Sequence, residues 1–211
     1  MYPSEKVLEI KHPVIARDLT ILRDKNTSTA VFRLALGRIS TILAYNALKN
    51  IPLRDFIVET PIKNTTGYEI DAEIVVIPIL RAGLGLVDAI TTFIPDARVG
   101  HLGMYRDEVT KKPVDYYVNI PNGIENALVL VVDPMLATGG SACDAISFLK
   151  SKGAKNIRFI CLISAPEGID KVLNDHPDVS IITASVDECL NENKYIVPGL
   201  GDAGDRIYGT T

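Results

Sequence analysis

The chain has 211 residues, 47% of them apolar, and a formal net charge of −4 from 22 Lys plus Arg against 26 Asp plus Glu. That length supplies a core that needs no disulfide or metal staple, and it fits one domain over residues 1–211. The acidic balance argues against broad nucleic-acid binding, and three cysteines (Cys143, Cys161, Cys189) without metal-ligand spacing or a CxxC fit a reducing compartment.

Met1 to Lys11 is polar and charged, with neither a secretory apolar core nor a transit-peptide composition. The first helix expected is Val31 to Asn50, where Phe32, Leu36, Ile39, Leu43 and Ala47 recur at helical spacing behind the possible caps Thr27 to Thr29. From Glu73 a continuous apolar strand runs into a turn, Arg81 to Gly85, which opens a helix at Leu86. Tyr105 to Pro121, polar, charged and containing Pro113, reads as an exposed hairpin or lid. The β-turn-α pattern then repeats: strand Ala127 to Val132, turn Asp133 to Ser141, and helix Ala142 to Lys152 closed by Gly153. Strand Ile157 to Ile163, helix Glu167 to Asp175 and strand Val179 to Ala184 follow. The apolar runs Ile74 to Leu80, Ala127 to Val132 and Ile157 to Ile163 are far short of the roughly 20 residues of a membrane span, so a cytoplasmic protein without membrane contact is expected. Strands apolar throughout and separated by helices imply an α/β fold with a parallel sheet covered on both faces. Ligands of such sheets sit beyond the carboxyl ends of the strands, which directs attention to the turns after Ile79 and Val132.

The turn after Val132 places the carboxylate of Asp133 at a strand end, followed by Pro134, Met135, Leu136, Ala137, Thr138, Gly139, Gly140 and Ser141 before a helix. Glycines let backbone N–H groups approach phosphate oxygens, Thr138 and Ser141 can donate from their hydroxyls, and the helix end adds partial positive charge. Asp133 is then free to accept from sugar hydroxyls. An ordinary strand-to-helix turn capped by Thr or Ser has the same outline. The turn is neither a Walker A loop nor GxGxxG, which disfavours ATPase and dinucleotide readings.

Val131 to Ser141 resembles the phosphoribosyl diphosphate (PRPP) motif of type I phosphoribosyltransferases, and its Asp-Pro-Met-Leu-Ala-Thr-Gly form resembles the uracil phosphoribosyltransferase family. A second signature, Tyr195 to Arg206, is similar to that family's C-terminal uracil-binding segment. The likeness continues through Leu22 to Lys25, Glu59 to Pro61, Ile79 to Gly83, Tyr105 to Asp107 and Ala165 to Gly168. It implies the type I phosphoribosyltransferase fold with a flexible hairpin hood at about residues 104–121, and pyrimidine salvage: uracil and PRPP giving UMP and diphosphate.

By the same resemblance, Arg81 and Arg106 hold the diphosphate, Pro134 to Ser141 with Asp133 hold the phosphoribosyl part, and Asp202 lies between base and PRPP. Ile196, Gly201 and Ala203, with Asp202, would bind uracil through backbone groups, and Asp133 and Arg106 would position the transition state. Guanidinium groups suit a leaving diphosphate because its charge grows as the bond breaks. Read without the resemblance, the alternative for Arg81 is a surface ion-pair residue, for the loop around Arg106 solvated surface, and for Gly199 to Gly204 a tail turn. Mg²⁺ is expected on PRPP itself, with no direct protein ligand. Relatives activated by GTP and assembled as dimers or tetramers direct attention to Arg33, Leu34, Ala35, Leu36 and Gly37 as a GTP site, and to a homo-oligomer. His12, His101 and His176 have no partner spacing and read as structural or surface residues. Cys189 departs from the family pattern, which has arginine or another polar residue there more often. The rival reading is a regulator of pyrimidine genes that uses this fold to bind RNA, for which a net charge of −4 is unfavourable.

Overall fold

The computed structural model describes residues 4–106 and 113–210, with the side chains of 104–106 and 113–116 left aside. In chain order, β1 (Val7–Glu9), α1 (Pro13–Arg23) and α2 (Thr29–Ala47) lead to the strands β2 (Leu53–Glu59) and β3 (Asn64–Ile70). Then come β4 (Ile74–Pro78), α3 (Leu84–Phe93), β5 (Arg98–Val99), β6 (His101–Arg106), β7 (Pro113–Asn119) and β8 (Leu128–Val132). The rest comprises β9 (Met135–Leu136), α4 (Gly140–Ser151), β10 (Asn156–Ser164), α5 (Pro166–Asp175), β11 (Ser180–Val186), β12 (Cys189–Leu190), β13 (Ile196–Val197) and α6 (Ala203–Tyr208).

The sheet is parallel, in the order β1-β11-β10-β8-β4-β5, with β9 also pairing β10. All five residues of β4 and all five of β8 are buried, as strands covered on both faces must be. Alternate side chains serve opposite faces. Ile74, Val76, Leu128 and Leu130 join Phe32, Leu36, Ile39 and Leu43 of α2 and Leu86 and Ile90 of α3 in one core. Val75, Ile77, Val129 and Val131 join Ile146 and Leu149 of α4 and Ile169 and Val172 of α5 in the other. The expected α/β architecture is therefore present, with the cores split by the alternation of the strands.

Several boundaries differ from expectation for local reasons. The helix expected at Val31 to Asn50 spans Thr29–Ala47, because Ser28 is already extended as its N-cap. α3 opens at Leu84 rather than Leu86, and α4 at Gly140 rather than Ala142, each drawing the end of a glycine turn into the helix. α5 opens at Pro166, where the ring's fixed φ suits a first helical position. Helix α1 is an addition: His12 caps it by accepting from the Val14 N–H through Nδ1 at 3.1 Å, and its buried residues include Ile15, Leu19 and Leu22. Two antiparallel hairpins stand off the sheet, β2–β3 and β6–β7. The second overlaps the region expected to form a hood, residues 104–121; its connection, 107–112, lies outside the described residues.

Candidate active site

Strand β4 leads through α3 to β5 on one side of the sheet, while β8 leads through α4 to β10 on the other. The strand order thus reverses between β4 and β8, which opens a crevice at their carboxyl ends. The turn after β4 folds tightly onto its neighbour: the Ile79 N–H donates to the Val132 carbonyl at 3.0 Å, and the Gly83 N–H to the Ile79 carbonyl at 2.9 Å. A Cβ on Gly83 would stand 2.4 Å from the Val132 carbonyl oxygen, so a side chain would force the turn off the strand. This turn carries Arg81, whose side chain is largely exposed and lies 3.8 Å from the Asp205 carboxylate, and whose peptide to Leu80 is cis. The Leu80 N–H donates to Leu102 at 3.3 Å, tying the base of the β6–β7 hairpin to the same turn.

The turn after β8 divides its residues between sheet and crevice. The Pro134 carbonyl accepts from Leu162 at 3.0 Å and Ile163 at 3.2 Å, and the Leu136 carbonyl from Ala165 at 2.9 Å, so these two buried residues are committed to the sheet. Asp133, Met135, Ala137, Thr138 and Gly139 to Ala142 surround a concavity of about 90 Å³, with Leu136 at its base. Gly139 takes φ +76° and caps α4 without a side chain, so that the first turn of the helix opens on this concavity. Thr138 Oγ1 accepts from the Gly140 N–H at 3.4 Å. Helix α5 presses on this loop from behind: a Cβ on Gly168 would meet the Ala137 carbonyl oxygen at 2.3 Å. Burial pushes the Asp133 carboxyl up to about 7, opposed by the Met135 N–H, which donates to Oδ1 at 3.4 Å.

The C-terminal segment closes the crevice. Ile196 pairs antiparallel with Leu190 and buries its side chain in the core, and it is not among the residues that line the cleft. Gly199 and Gly201 have φ of +65° and +80°, and Asp202 caps α6 by accepting from the Asp205 N–H at 2.9 Å. Asp133, Met135 and Ala137 share a cleft of about 370 Å³ with Gly201, Asp202, Ala203 and Gly204. Two motifs far apart in sequence therefore line one volume. The Arg106 backbone pairs with Pro113 in the hairpin, and its side chain lies outside the described residues.

Ala82, Asn193, Lys194 and Tyr195 also line this cleft; Ala82 and Tyr195 fall within the sequence signatures without an assigned role, and Asn193 and Lys194 lie outside them. Lys194 is held at φ +66° by a local turn: its N–H donates to the Asn191 carbonyl at 2.9 Å, and the Asn191 side chain accepts from Asn193 and Tyr195. Arg33 and Gly37 line a separate cavity of about 610 Å³ beside α3 and Tyr208. Arg33 Nε donates to the Ile207 carbonyl at 2.6 Å, Leu34 is exposed, and Ala35 and Leu36 are buried in the core.

His12 is a helix cap, and His176 is buried between α4 and the end of α5, where Nε2 lies 3.2 Å from Ser147 Oγ. Burial pushes the thiols of Cys143 and Cys161 up to about 12, whereas Cys189 is exposed. Among the described residues no three His, Cys, Asp or Glu side chains gather as a metal cluster, and no helix is long and apolar enough to cross a membrane.

The family model described as uracil phosphoribosyltransferase matches residues 9–210. A curated uracil phosphoribosyltransferase of Salinibacter ruber is 54% identical over 206 residues, covering 98% of each chain. One from Lactiplantibacillus plantarum is 52% identical over 202 residues, covering 95% of this chain and 97% of its own. Among solved structures, the AQ2163 protein of Aquifex aeolicus superposes with a TM-score of 0.90 at 36% identity, over 97% of this chain and 99% of that one.

Proposed function

The chain belongs to the uracil phosphoribosyltransferase family, and from that premise we propose that its cleft joins uracil to PRPP, giving UMP and diphosphate. One observation carries the assignment of residues: Asp133, Met135 and Ala137 share a cleft with Gly201, Asp202 and Ala203. The amides from Ala137 to Ser141, with the hydroxyls of Thr138 and Ser141, take the 5′-phosphate at the start of α4. Asp133 accepts from the ribose hydroxyls, and Arg81 and Arg106 take the diphosphate, which arrives with its Mg²⁺ as part of the substrate. Uracil N1 attacks the anomeric carbon from the face opposite the departing diphosphate, and the N1 proton is lost as the new bond forms. The transition state has oxocarbenium character, so the protein acts by positioning and by stabilising the charge that leaves.

Uracil presents two carbonyl acceptors and N–H donors, which the backbone groups of Ile196, Gly201 and Ala203 can match at close approach. Cytosine replaces a carbonyl with an amino group and sets donor against donor, so it is rejected.

The test is UMP formation from labelled uracil, PRPP and Mg²⁺, run beside cytosine, orotate and hypoxanthine. Product from uracil alone supports the assignment; product from another base refutes the pocket while leaving the phosphate loop. GTP joins the same assay, because Arg33 and Gly37 border a cavity large enough for a nucleotide; unchanged turnover removes the activator reading. The homo-oligomer reading rests on the β2–β3 hairpin, which exposes Phe56, Ile57, Ile62 and Tyr68, an apolar surface suited to a second copy. The regulator reading gains nothing from these observations, and a reducing, cytoplasmic setting accords with three free cysteines.

A further inference from the structure

The segment that would read the base contains Gly199 and Gly201, both at positive φ, and a glycine backbone of this kind has many conformations open to it. Something must select one. Arg23, the last residue of α1, and Asp187, just beyond β11, form a two-pronged ion pair: Nη1 to Oδ2 at 2.7 Å and Nη2 to Oδ1 at 2.6 Å. The Asp187 side chain is only 1% exposed. Both members also grip the same glycine. Arg23 Nη1 donates to the Gly199 carbonyl at 2.8 Å, and the Gly199 N–H donates to Asp187 Oδ2 at 3.0 Å. Ser185 Oγ donates to Asp187 Oδ1 at 2.8 Å, completing the carboxylate's partners.

We propose that the Arg23–Asp187 pair is the positioning device of the base pocket, fixing Gly199 by both its amide and its carbonyl so that Ile196 to Ala203 present their backbone groups to uracil in one arrangement. This rests on the reading of that segment as the uracil site. A pair needed only to join α1 to β11 would have no use for the contacts to Gly199. Burial works against ionisation of Asp187, but the hydrogen bonds from Arg23 and Ser185 outweigh it and hold the carboxyl below the usual range. The bidentate fork is geometrically specific, so a single-pronged cation does not replace it. Preorganised donors act only where they are held, and a displacement of about 1 Å is enough to reduce catalysis severely.

The experiment compares Asp187→Asn and Arg23→Lys with the unaltered enzyme, measuring KM for uracil and for PRPP separately, with folding checked by circular dichroism. Asp187→Asn is expected to raise KM for uracil at least tenfold and to leave KM for PRPP within twofold; Arg23→Lys shifts uracil the same way by a smaller factor. If Asp187→Asn does not fold, Arg23→Lys decides alone. Equal rises in both constants, or unchanged KM for uracil in a folded variant, overturn the proposal. Hydrogen exchange of the unaltered enzyme, with and without uracil in the presence of PRPP, separates the two ideas. Protection of 199–203 by uracil supports the pocket assignment, so that an unchanged KM then counts against the pair alone. Absence of protection overturns the pocket assignment, and the proposal with it.

Discussion

The Tyr208 hydroxyl donates to the backbone carbonyl of Arg81 at 3.0 Å, joining the helix that follows the glycine segment to the turn that follows β4. Burial raises the phenol above its ordinary value, so it stays a protonated donor through the neutral range. A single neutral hydrogen bond contributes about 1 kcal/mol net. Tyr208→Phe is therefore expected to raise KM for PRPP by roughly two- to tenfold while leaving KM for uracil unchanged. Initial-rate kinetics with each substrate varied in turn give both numbers.

Asp133 has a carboxyl raised from 3.8 to about 7 by burial. A group whose folded value is raised contributes fully to stability below its unfolded value, and that contribution is lost as pH rises through the folded one. The unaltered protein therefore loses stability between about pH 4 and pH 7, relative to Asp133→Asn, by at most about 4 kcal/mol. Asp133→Asn should melt higher at pH 8 and lose the advantage near pH 4, while its turnover falls about a hundredfold or more. Calorimetric melting across pH and a turnover assay test the two halves; equal melting temperatures at pH 8 would contradict the first.

Gly168 lies against the loop that would hold the 5′-phosphate, with room for no Cβ beside the Ala137 and Leu136 carbonyls. Gly168→Ala should displace that loop, raise KM for PRPP at least tenfold and destabilise the fold by about 1–3 kcal/mol. Urea unfolding and PRPP saturation curves measure both effects.

Lys194 occupies the left-handed region at the cleft wall. Lys194→Gly removes about 1 kcal/mol of backbone strain and with it a cation near an anionic substrate. Thermal unfolding is expected to rise slightly, whereas KM for PRPP rises a few-fold at low salt and less at high salt, as a screened surface charge requires.

Ile57 and Ile62 are 71% and 91% exposed on the β2–β3 hairpin. If this surface joins two copies, Ile57→Asp with Ile62→Asp shifts the sedimenting species to the monomer. An unchanged sedimentation coefficient would reject the hairpin as the contact.

The buried strands were legible from local chemistry, whereas the segment Tyr195 to Arg206 was legible only through its family resemblance, since its glycines alone read as a tail turn. A continuous apolar run such as Ile74 to Ile77 has few uses outside a covered sheet, and the residue types of Asp133 to Ser141 suit a sugar phosphate but also an ordinary capped turn until the resemblance is added. Helix α1 was missed although Ile15, Leu19 and Leu22 lie at helical spacing, because its cap is a histidine side chain rather than Ser, Thr, Asp or Asn. The roles of Arg23 and Asp187 were beyond reach for a different reason: they lie 164 positions apart, and nothing local in either neighbourhood announces the partner. Lys194 was invisible because the turn that places it is built by the Asn191 side chain against the backbone.

Arg206 donates to the carbonyls of Leu22, Leu200 and Asp24, and its guanidinium lies 4.5 Å from the Phe32 ring centre. The glycine segment is thus moored to the connection between the first two helices, although 184 positions separate Arg206 from Leu22 in the chain. During synthesis the sheet, the turn after β4 and the loop after β8 can all assemble while this mooring stands empty. A nascent chain halted before residue 196 would carry its parallel sheet and no closed cleft, so competence for transfer waits on the synthesis of residues 196–206 rather than accumulating along the way.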